Sequence, residues 1–315
     1  MATAWGVSFV VAFFGVYLEI RINEWNRDFY NALQSYDRAS FLFQTKLFLG
    51  LVSLQVGFMA INHYLTEAIE AKLRFSMTVR LISKWLAVRL PSSAESFPDQ
   101  RIAEDLDIYS TRLISFSVSV IAALVKAAAF LFILWQISPT LHIPMGSSEV
   151  TIPGSVALLS VLYFIVAGIV LNWAGVSLFR KENQKRAEEA ILRGKLIDLA
   201  KIDSQLRHTS ASRVRTTIAK ITRISLDVAK TATLVSFFNG IISSFSILLP
   251  VIILAPSYFA HEIMLGVIIQ TGGAFGNFQA AMSHVFGSYR QITRLVAAWS
   301  RIRAFEASLA FTHSN

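Results

Sequence analysis

The sequence predicts an all-α membrane protein with six transmembrane helices. Hydrophobic residues make up 54% of the 315 residues and charged residues only 16%, so mean hydropathy is positive. The apolar residues gather into runs close to the roughly 20 residues of helix that cross a bilayer. Charged segments with helical periodicity separate some of these runs. We therefore expect long helical extensions outside the membrane.

The predicted spans cover residues 2–18, 41–61, 113–137, 155–179, 231–255 and 263–286. The first run is barely long enough to cross, and it lacks the basic start and small-residue cleavage site of a signal peptide. Residues 19–40 are amphipathic and carry Trp25 and Tyr30, which favour the membrane interface. We expect that segment to lie along the membrane surface.

Two long helical hairpins are expected on one side of the membrane. No proline or glycine interrupts residues 62–90, so one helix would extend about 40 Å beyond the second span at about 1.5 Å per residue. Pro91 and the two serines after it are expected to end this helix. Residues 180–223 are strongly charged and supply the second hairpin, and the last helix is expected to continue past its span to Glu306.

The basic residues predict the orientation. Twenty-four lysines and arginines lie in the two long loops and the C-terminal tail, whereas three lie on the opposite side. The positive-inside rule therefore places both termini and both long loops in the cytoplasm. The net charge of +9 is explained by this topology, so no nucleic-acid partner is expected.

A polar stripe marks the sixth span. Gln270, Asn277 and His284 recur every seventh residue, which is nearly two helical turns, so they share one slowly drifting face. Gly272 and Gly276 form a small-xxx-small pair on a neighbouring face, where another helix could approach closely. The stripe is interpreted as the wall of an aqueous substrate cavity. Hydrogen bonding between packed helices is the alternative.

Lys126 lies near the middle of the third span. A lysine at that depth costs at least about 2.5 kcal/mol on insertion scales, and no acid in the other spans has an obviously matching depth. We expect Lys126 to point into the cavity and to meet anionic or carbonyl groups of a substrate. A structural hydrogen bond to a neighbouring helix is the alternative.

Carboxylates at the cytoplasmic entry of the third span are candidates for proton coupling. Glu104, Asp105 and Asp107 are close in sequence, and clustered carboxylates raise one another's pKa, which suits reversible protonation. Solvated charge in the first helical turn is the alternative.

The fifth span contributes further candidates. Asp227 lies just before it and is a proton-coupling candidate, although Arg223 and Lys230 are placed to form an ion pair with it. Asn239 and Ser243 form a polar face and are cavity candidates, with helix packing as the alternative.

No catalytic pattern is readable. A P-loop requires Gly-Lys-Ser/Thr, and Gly194-Lys195 is followed by Leu196. His261-Glu262 begins a zinc-protease pattern that lacks its second histidine, and the absence of cysteine excludes disulfides and thiolate metal sites. We expect neither enzyme activity, nor a metal site, nor a cofactor.

Several stretches carry a family resemblance. They are INEWNRDFYNALQ (22–34), PDQRIAED (98–105), AFLFILW (129–135), HIP (142–144) and, most strongly, the last helix and tail (265–306). They resemble the SbmA/BacA-like family and its ATPase-fused bacterial relatives. The similarity covers nearly the whole chain. It implies the transmembrane domain of the type IV ABC exporter-like fold, with long cytoplasmic helical extensions.

The resemblance adds one proton-coupling candidate. The family's Asn-Gln followed by Glu-Ala and Arg is matched here by Asn183-Gln184, Glu189-Ala190 and Arg193, with extra residues between. Glu189 is the candidate from this match.

Two other features depart from the family. Members usually carry an additional N-terminal membrane segment, so this chain is expected to be short at its N-terminus. Lys126 stands where a small or apolar residue is expected.

The resemblance implies an inner-membrane homodimer around one central cavity. Such proteins import peptides, including antimicrobial peptides, and some relatives move corrinoids. The SbmA/BacA branch uses the proton gradient and the fused branch uses ATP. Because the chain ends soon after its last helix, the leading expectation is a single transmembrane domain, without a nucleotide-binding domain, that imports peptides or similar bulky solutes with protons. The alternatives are the membrane subunit of an ABC transporter whose ATPase is a separate or removed chain, and a non-transporting scaffold or receptor.

Overall fold

The computed structural model describes residues 2–87, 101–138, 141–145, 148–201 and 207–313. Its helices are α1 (Ala2–Gln34), α2 (Arg38–Leu86), α3 (Leu106–Ile137), α4 (Ser155–Lys201), α5 (Arg207–Phe259), α6 (Leu265–Gly287) and α7 (Tyr289–His313). A π-helical turn, Arg101–Asp105, precedes α3, and a short hairpin pairs β1 (Leu141–Met145) antiparallel with β2 (Ser148–Ile152). The predicted all-α class is confirmed, and the hairpin is a small addition to it.

Helix α1 does not end where the first span was expected to end. It continues without a break from Ala2 to Gln34, so the segment expected to lie along the membrane surface is the second half of the same helix. Its charges are largely neutralised on the helix itself. The ion pairs join Arg21 to Glu24 and Arg27 to Asp28. The expectation of a separate surface segment after residue 18 is not met, because residues 19–34 continue the first helix without a break.

Helix α2 confirms the predicted extension. It runs uninterrupted from Arg38 to Leu86, and the Asp37 carboxylate caps it by accepting hydrogen bonds from the amides of Ala39 and Ser40 at 3.0 and 3.1 Å. The Ser40 hydroxyl also donates to Asp37, at 2.6 Å, and its bond, followed by those of the Ser40 and Ala39 amides, favours the charged form and lowers the pKa of Asp37. The residues expected to end α2, Pro91 to Ser93, lie outside the described residues.

Within the described residues, five helices, α1 to α5, are long and apolar enough to cross a membrane. Helix α6 covers the predicted sixth span but is not among these five, because its glycines and polar stripe lower its hydropathy. The last helix was expected to be continuous to Glu306, and this was wrong. Helix α6 ends at Gly287, and α7 begins after Ser288.

The chain divides into two compact units. The first comprises the described parts of Met1–Ser160 and Pro250–Asn315. In it α3 packs along α6, α1 packs against α2 and α6, and α7 packs against α3. One core cluster contains Leu81, Leu106, Ile302, Phe305 and Leu309, and another contains Ile69, Leu73 and Ile114.

The second unit, within Val161–Leu249, is a hairpin made of the adjoining parts of α4 and α5. Side-chain bonds link its two helices along their length. The donors and acceptors are Tyr163 Oη to the Ile242 carbonyl, Lys181 Nζ to Thr231 Oγ1, Lys195 Nζ to Thr217 Oγ1, and Lys220 Nζ to Glu188 Oε1.

Candidate functional site

Polar residues of the 22–34 motif hold the beginning of α6. Asn31 Oδ1 accepts a hydrogen bond from the Gly266 amide at 2.9 Å, and Gln34 Oε1 accepts one from the Leu265 amide at 2.6 Å. Asn23 Nδ2 donates to the Gln270 carbonyl at 2.9 Å. The first two bonds satisfy amides that a helix start leaves without an intrahelical partner. This motif therefore positions α6, the helix that carries the polar stripe.

Two glycines of α6 permit this close approach. A Cβ at Gly266 would lie 2.0 Å from the Arg27 carbonyl oxygen, and one at Gly273 would lie 2.7 Å from Asn23 Nδ2. The pair predicted for close packing, Gly272 and Gly276, has no heavy atom of another helix within 4 Å of the equivalent positions. Glycine is thus required at Gly266 and Gly273, on the face of α6 that meets α1, and not at the predicted pair.

The predicted stripe on α6 passes from the interior to the surface. Gln270 is 3% exposed, and its Oε1 is buried without a hydrogen-bond partner among the described residues. Asn277 is half-buried and donates to the Gly273 carbonyl at 3.0 Å, whereas His284 is exposed. Gln270 therefore lies inside the helix packing beside α1, and the open surface within this chain belongs to Asn277 and His284.

Lys126 has a partner that the sequence analysis missed. Its Nζ lies 2.5 Å from Glu19 Oε2, and 6.0 Å from the centre of the Phe130 ring. The side chains of Lys126 and Glu19 are 20% and 31% exposed. The expectation that no acid matches the depth of Lys126 was wrong, because Glu19 lies within the long helix α1 and pairs with Lys126 of α3. This pair joins α3 to α1.

The predicted acidic cluster before α3 is divided between ion pairs. Asp105 is 4% exposed at its side chain and receives Arg301 of α7 in a two-pronged contact, with Nη2 to Oδ1 at 2.6 Å and Nε to both oxygens at 3.1 Å. This hydrogen bonding raises the pKa of Arg301. Asp107 Oδ1 lies 2.9 Å from Arg74 Nη1, and Glu104 is exposed. Asp105 therefore anchors α7, and Asp107 links α3 to α2.

The candidates on α4 and α5 lie at the surface of the second unit or close to it. Glu189 is 3.9 Å from Lys185, one turn earlier on the same helix. Asp227 is exposed, and it forms no ion pair among the described residues, in contrast to the expected one. Asn239 and Ser243 are exposed. They are available to a partner, to a solute or to lipid.

A cavity of about 450 Å³ lies between α2 and α3 in the first unit. Its lining residues are Glu67, Glu70, Ala71, Arg74, Phe75, Thr78, Asp107, Ser110 and Thr111. Glu70 is 6% exposed, and its Oε1 has no hydrogen-bond partner among the described residues. It lies nine residues beyond the predicted second span.

Burial, followed by the negative charge of Glu67, raises the pKa of Glu70 to about 7. Contact with Ser115 offsets part of this rise. The sequence analysis missed Glu70. Its signal was a carboxylate next to Ile69 and three residues before Leu73, on the apolar face of the extension.

Comparison with known proteins identifies a family for this chain. The model of the SbmA/BacA-like family matches residues 3–310. The inner membrane ABC transporter ATP-binding protein YddA of Escherichia coli is 24% identical over 308 residues, which are 92% of this chain and 54% of that protein. An uncharacterized ABC transporter ATP-binding protein of Haemophilus influenzae is 25% identical over 270 residues, 81% of this chain and 45% of that protein.

A plant protein is similar over the same region. ABC transporter D family member 2, chloroplastic, of Arabidopsis thaliana is 24% identical over 303 residues, 92% of this chain and 40% of that protein. The chain thus spans about half the length of the curated relatives it matches.

Proposed function

This chain belongs to the SbmA/BacA-like family, and from that premise we propose that it imports peptides or similarly bulky solutes together with protons. Its family and the ABC transporter names of its relatives support a multi-pass membrane transporter. The proposed working unit is a homodimer in the bacterial inner membrane, with both termini in the cytoplasm.

The observation that carries a transport role is the ion pair between Lys126 and Glu19. Both residues lie on helices long enough to cross a bilayer, and both side chains remain partly exposed. Ionisable groups within membrane helices are costly, so they usually mark a solute or ion pathway. In the proposed cavity wall of the first unit, Lys126, Asn277 and His284 meet the solute, while the Gln270 carbonyl, which accepts a hydrogen bond from Asn23, helps to hold α6. Asn239 and Ser243, exposed on the second unit, are proposed solute contacts of that unit.

Exposed apolar residues beyond the predicted spans support a second copy. The hairpin of α4 and α5 exposes Ile191, Leu196, Ile218 and Leu226 by 47–59%. The extension of α2 likewise exposes Phe75 by 71%. Lipid cannot cover these residues outside the membrane, and apolar patches of this kind mark protein interfaces. A homodimer provides the cover.

The carboxylates supply the proton-coupling part of the proposal. Glu104, Asp107, Glu189 and Asp227 are exposed or partly exposed, so a proton can reach them. Asp105 is held by Arg301 in an ion pair. Its contribution is to position α7 against the entry of α3.

ATP coupling is the second candidate, and one observation favours it. The bacterial relatives named above are ATP-binding proteins that extend well beyond the region matched here. In that case the chain is the membrane-spanning part of a transporter whose ATPase lies on another polypeptide or segment.

Peptide uptake into proteoliposomes separates the two candidates. The purified protein is reconstituted, and a labelled cationic peptide is offered with an imposed pH gradient and without ATP. Proton coupling predicts accumulation that a protonophore abolishes. Accumulation that requires ATP and a co-purifying ATPase supports the second candidate instead.

A further inference from the structure

We propose that Glu70 is the carboxyl group that takes up and releases the coupled proton, an assignment that rests on the proposed proton-coupled import. Glu70 is on α2, in the cytoplasmic extension, and it was not among the carboxylates that the sequence singled out. It lines the cavity between α2 and α3. The role follows from its burial, from the absence of a hydrogen-bond partner for its Oε1 among the described residues, and from the charges around it.

One carboxyl oxygen of the buried Glu70 has no hydrogen-bond partner among the described residues. Its side chain is 6% exposed, and Oε1 is buried without a hydrogen-bond partner among the described residues. A buried ionised carboxylate in that state is costly, whereas a protonated one is neutral. The adjoining cavity of about 450 Å³ is large enough for water, which can deliver and remove the proton.

The charged groups facing Glu70 come from α2 and α3. Glu67 and Arg74 are one turn before and one turn after it on α2, and Asp107 faces it from α3. The nearby part of α1 contributes Trp5 to the apolar cluster, and residues 2–18 carry no charged side chain. Arg74 is the cation of this cavity lining, and it already pairs with Asp107 at 2.9 Å. Glu70 is thus surrounded by two carboxylates, Glu67 and Asp107, and by an arginine that is already paired with Asp107.

This environment makes protonation reversible near neutral pH. Burial, followed by the charge of Glu67, raises the pKa of Glu70 to about 7. The other carboxylates of the same cavity, Glu67 and Asp107, are exposed or partly exposed. Glu70 therefore combines a buried site with access to water through the cavity.

Proton release would change the contact between α2 and α3. The carboxyl O–H of Glu70 gives its proton to cavity water, and a carboxylate remains. Arg74, four residues later on the same helix face, is positioned to turn toward this new charge. It would then leave Asp107, so the link between α2 and α3 weakens. Taking up a proton from water restores the link, and this cycle is the proposed connection between protonation and helix movement.

Variants of the full chain test the assignment in proteoliposomes. Glu70→Gln should lose most of the accumulation driven by a pH gradient but keep peptide counterflow, which needs no net proton movement. Glu70→Asp should recover part of the accumulation, because it keeps a titratable group. Glu262→Gln, the same change on an exposed loop residue, should accumulate peptide as the unmodified protein does.

The outcomes separate this assignment from the proposed function. If the unmodified protein shows no accumulation driven by a pH gradient, the proposed function fails, and the coupling role of Glu70 fails with it. If the unmodified protein accumulates peptide and Glu70→Gln accumulates it equally well, only the assignment to Glu70 is overturned.

Direct titration of Glu70 does not require a variant to fold. A carbodiimide reacts with protonated carboxyl groups, and mass spectrometry locates the modified residue. Labelling of Glu70 should be strong at about pH 6 and weak at about pH 8, as its raised pKa requires. Equal labelling at both values, or none at either, would overturn the assignment.

Discussion

Lys126 on α3 and Glu19 on α1 form an ion pair, with Nζ and Oε2 separated by 2.5 Å. Each residue neutralises the charge of the other, and a lone charge inside a bilayer-length helix would be costly. The pair ties together two helices that both pack against α6. The two side chains are partly exposed, although the Glu19 oxygen that faces Lys126 is itself buried.

Breaking this pair should have separable effects on stability and transport. Lys126→Leu leaves the Glu19 carboxylate unpaired, so we expect a loss of about 3–5 kcal/mol of stability. The double variant Lys126→Leu with Glu19→Leu should recover most of that stability and still transport poorly. Thermal unfolding in detergent and peptide uptake are the measurements. Normal uptake by the double variant would mean that the pair serves packing alone.

Gly266 should tolerate no side chain. The added Cβ in Gly266→Ala meets the Arg27 carbonyl oxygen at 2.0 Å, so α1 and α6 must separate, at a cost of at least about 1–3 kcal/mol. Gly272→Ala is the matched control, because nothing of another helix lies within 4 Å there. It should be neutral or stabilising by about 0.5–1 kcal/mol, since alanine favours helix. Equal melting temperatures for the two variants would contradict this account of the α1–α6 contact.

The stability of the protein should depend on pH through Glu70. Because folding raises the pKa of Glu70 from 4.5 to about 7, its contribution is most favourable below pH 4.5 and is lost as pH rises toward about 7. Glu70→Gln cannot ionise, so it should match the unmodified protein at low pH and exceed it in melting temperature at about pH 8. Melting curves at both pH values measure this difference. A variant that is less stable at the higher pH would contradict it.

The sequence predicted the features that depend on a single helix. The uninterrupted helix to Leu86 followed from the absence of proline and glycine, and the membrane class followed from composition. Contacts between helices were not predictable in this way. Glu19 looked like the end of a span because its partner, Lys126, is 107 residues away in the chain.

The polar stripe and the glycines of α6 also show that contacts between helices could not be predicted from residue spacing. Seven-residue spacing drifts around a straight helix, so Gln270 is buried beside α1 while His284 is exposed. Likewise, the spacing of Gly272 and Gly276 suggested an interface, but the close approach of α1 is at Gly266 and Gly273. Spacing identifies a shared face, and only the packing of neighbouring helices decides which face is covered.

Single cysteines should report the proposed orientation. The chain has no native cysteine, and Tyr36, at the turn between α1 and α2, is 95% exposed. Tyr36→Cys should react with an impermeant thiol reagent added outside intact cells. Gln184→Cys, exposed in the charged part of α4, should react only after the cells are opened. The reverse pattern would invert the proposed topology.

Proton movement driven by a peptide gradient tests the central claim most directly. Proteoliposomes containing the purified protein and an internal pH dye receive an outside excess of cationic peptide, with no ATP and no initial pH difference. Proton-coupled import predicts acidification of the interior that follows peptide entry, and it predicts no acidification with Glu70→Gln. Peptide entry without acidification in the unmodified protein would contradict proton coupling.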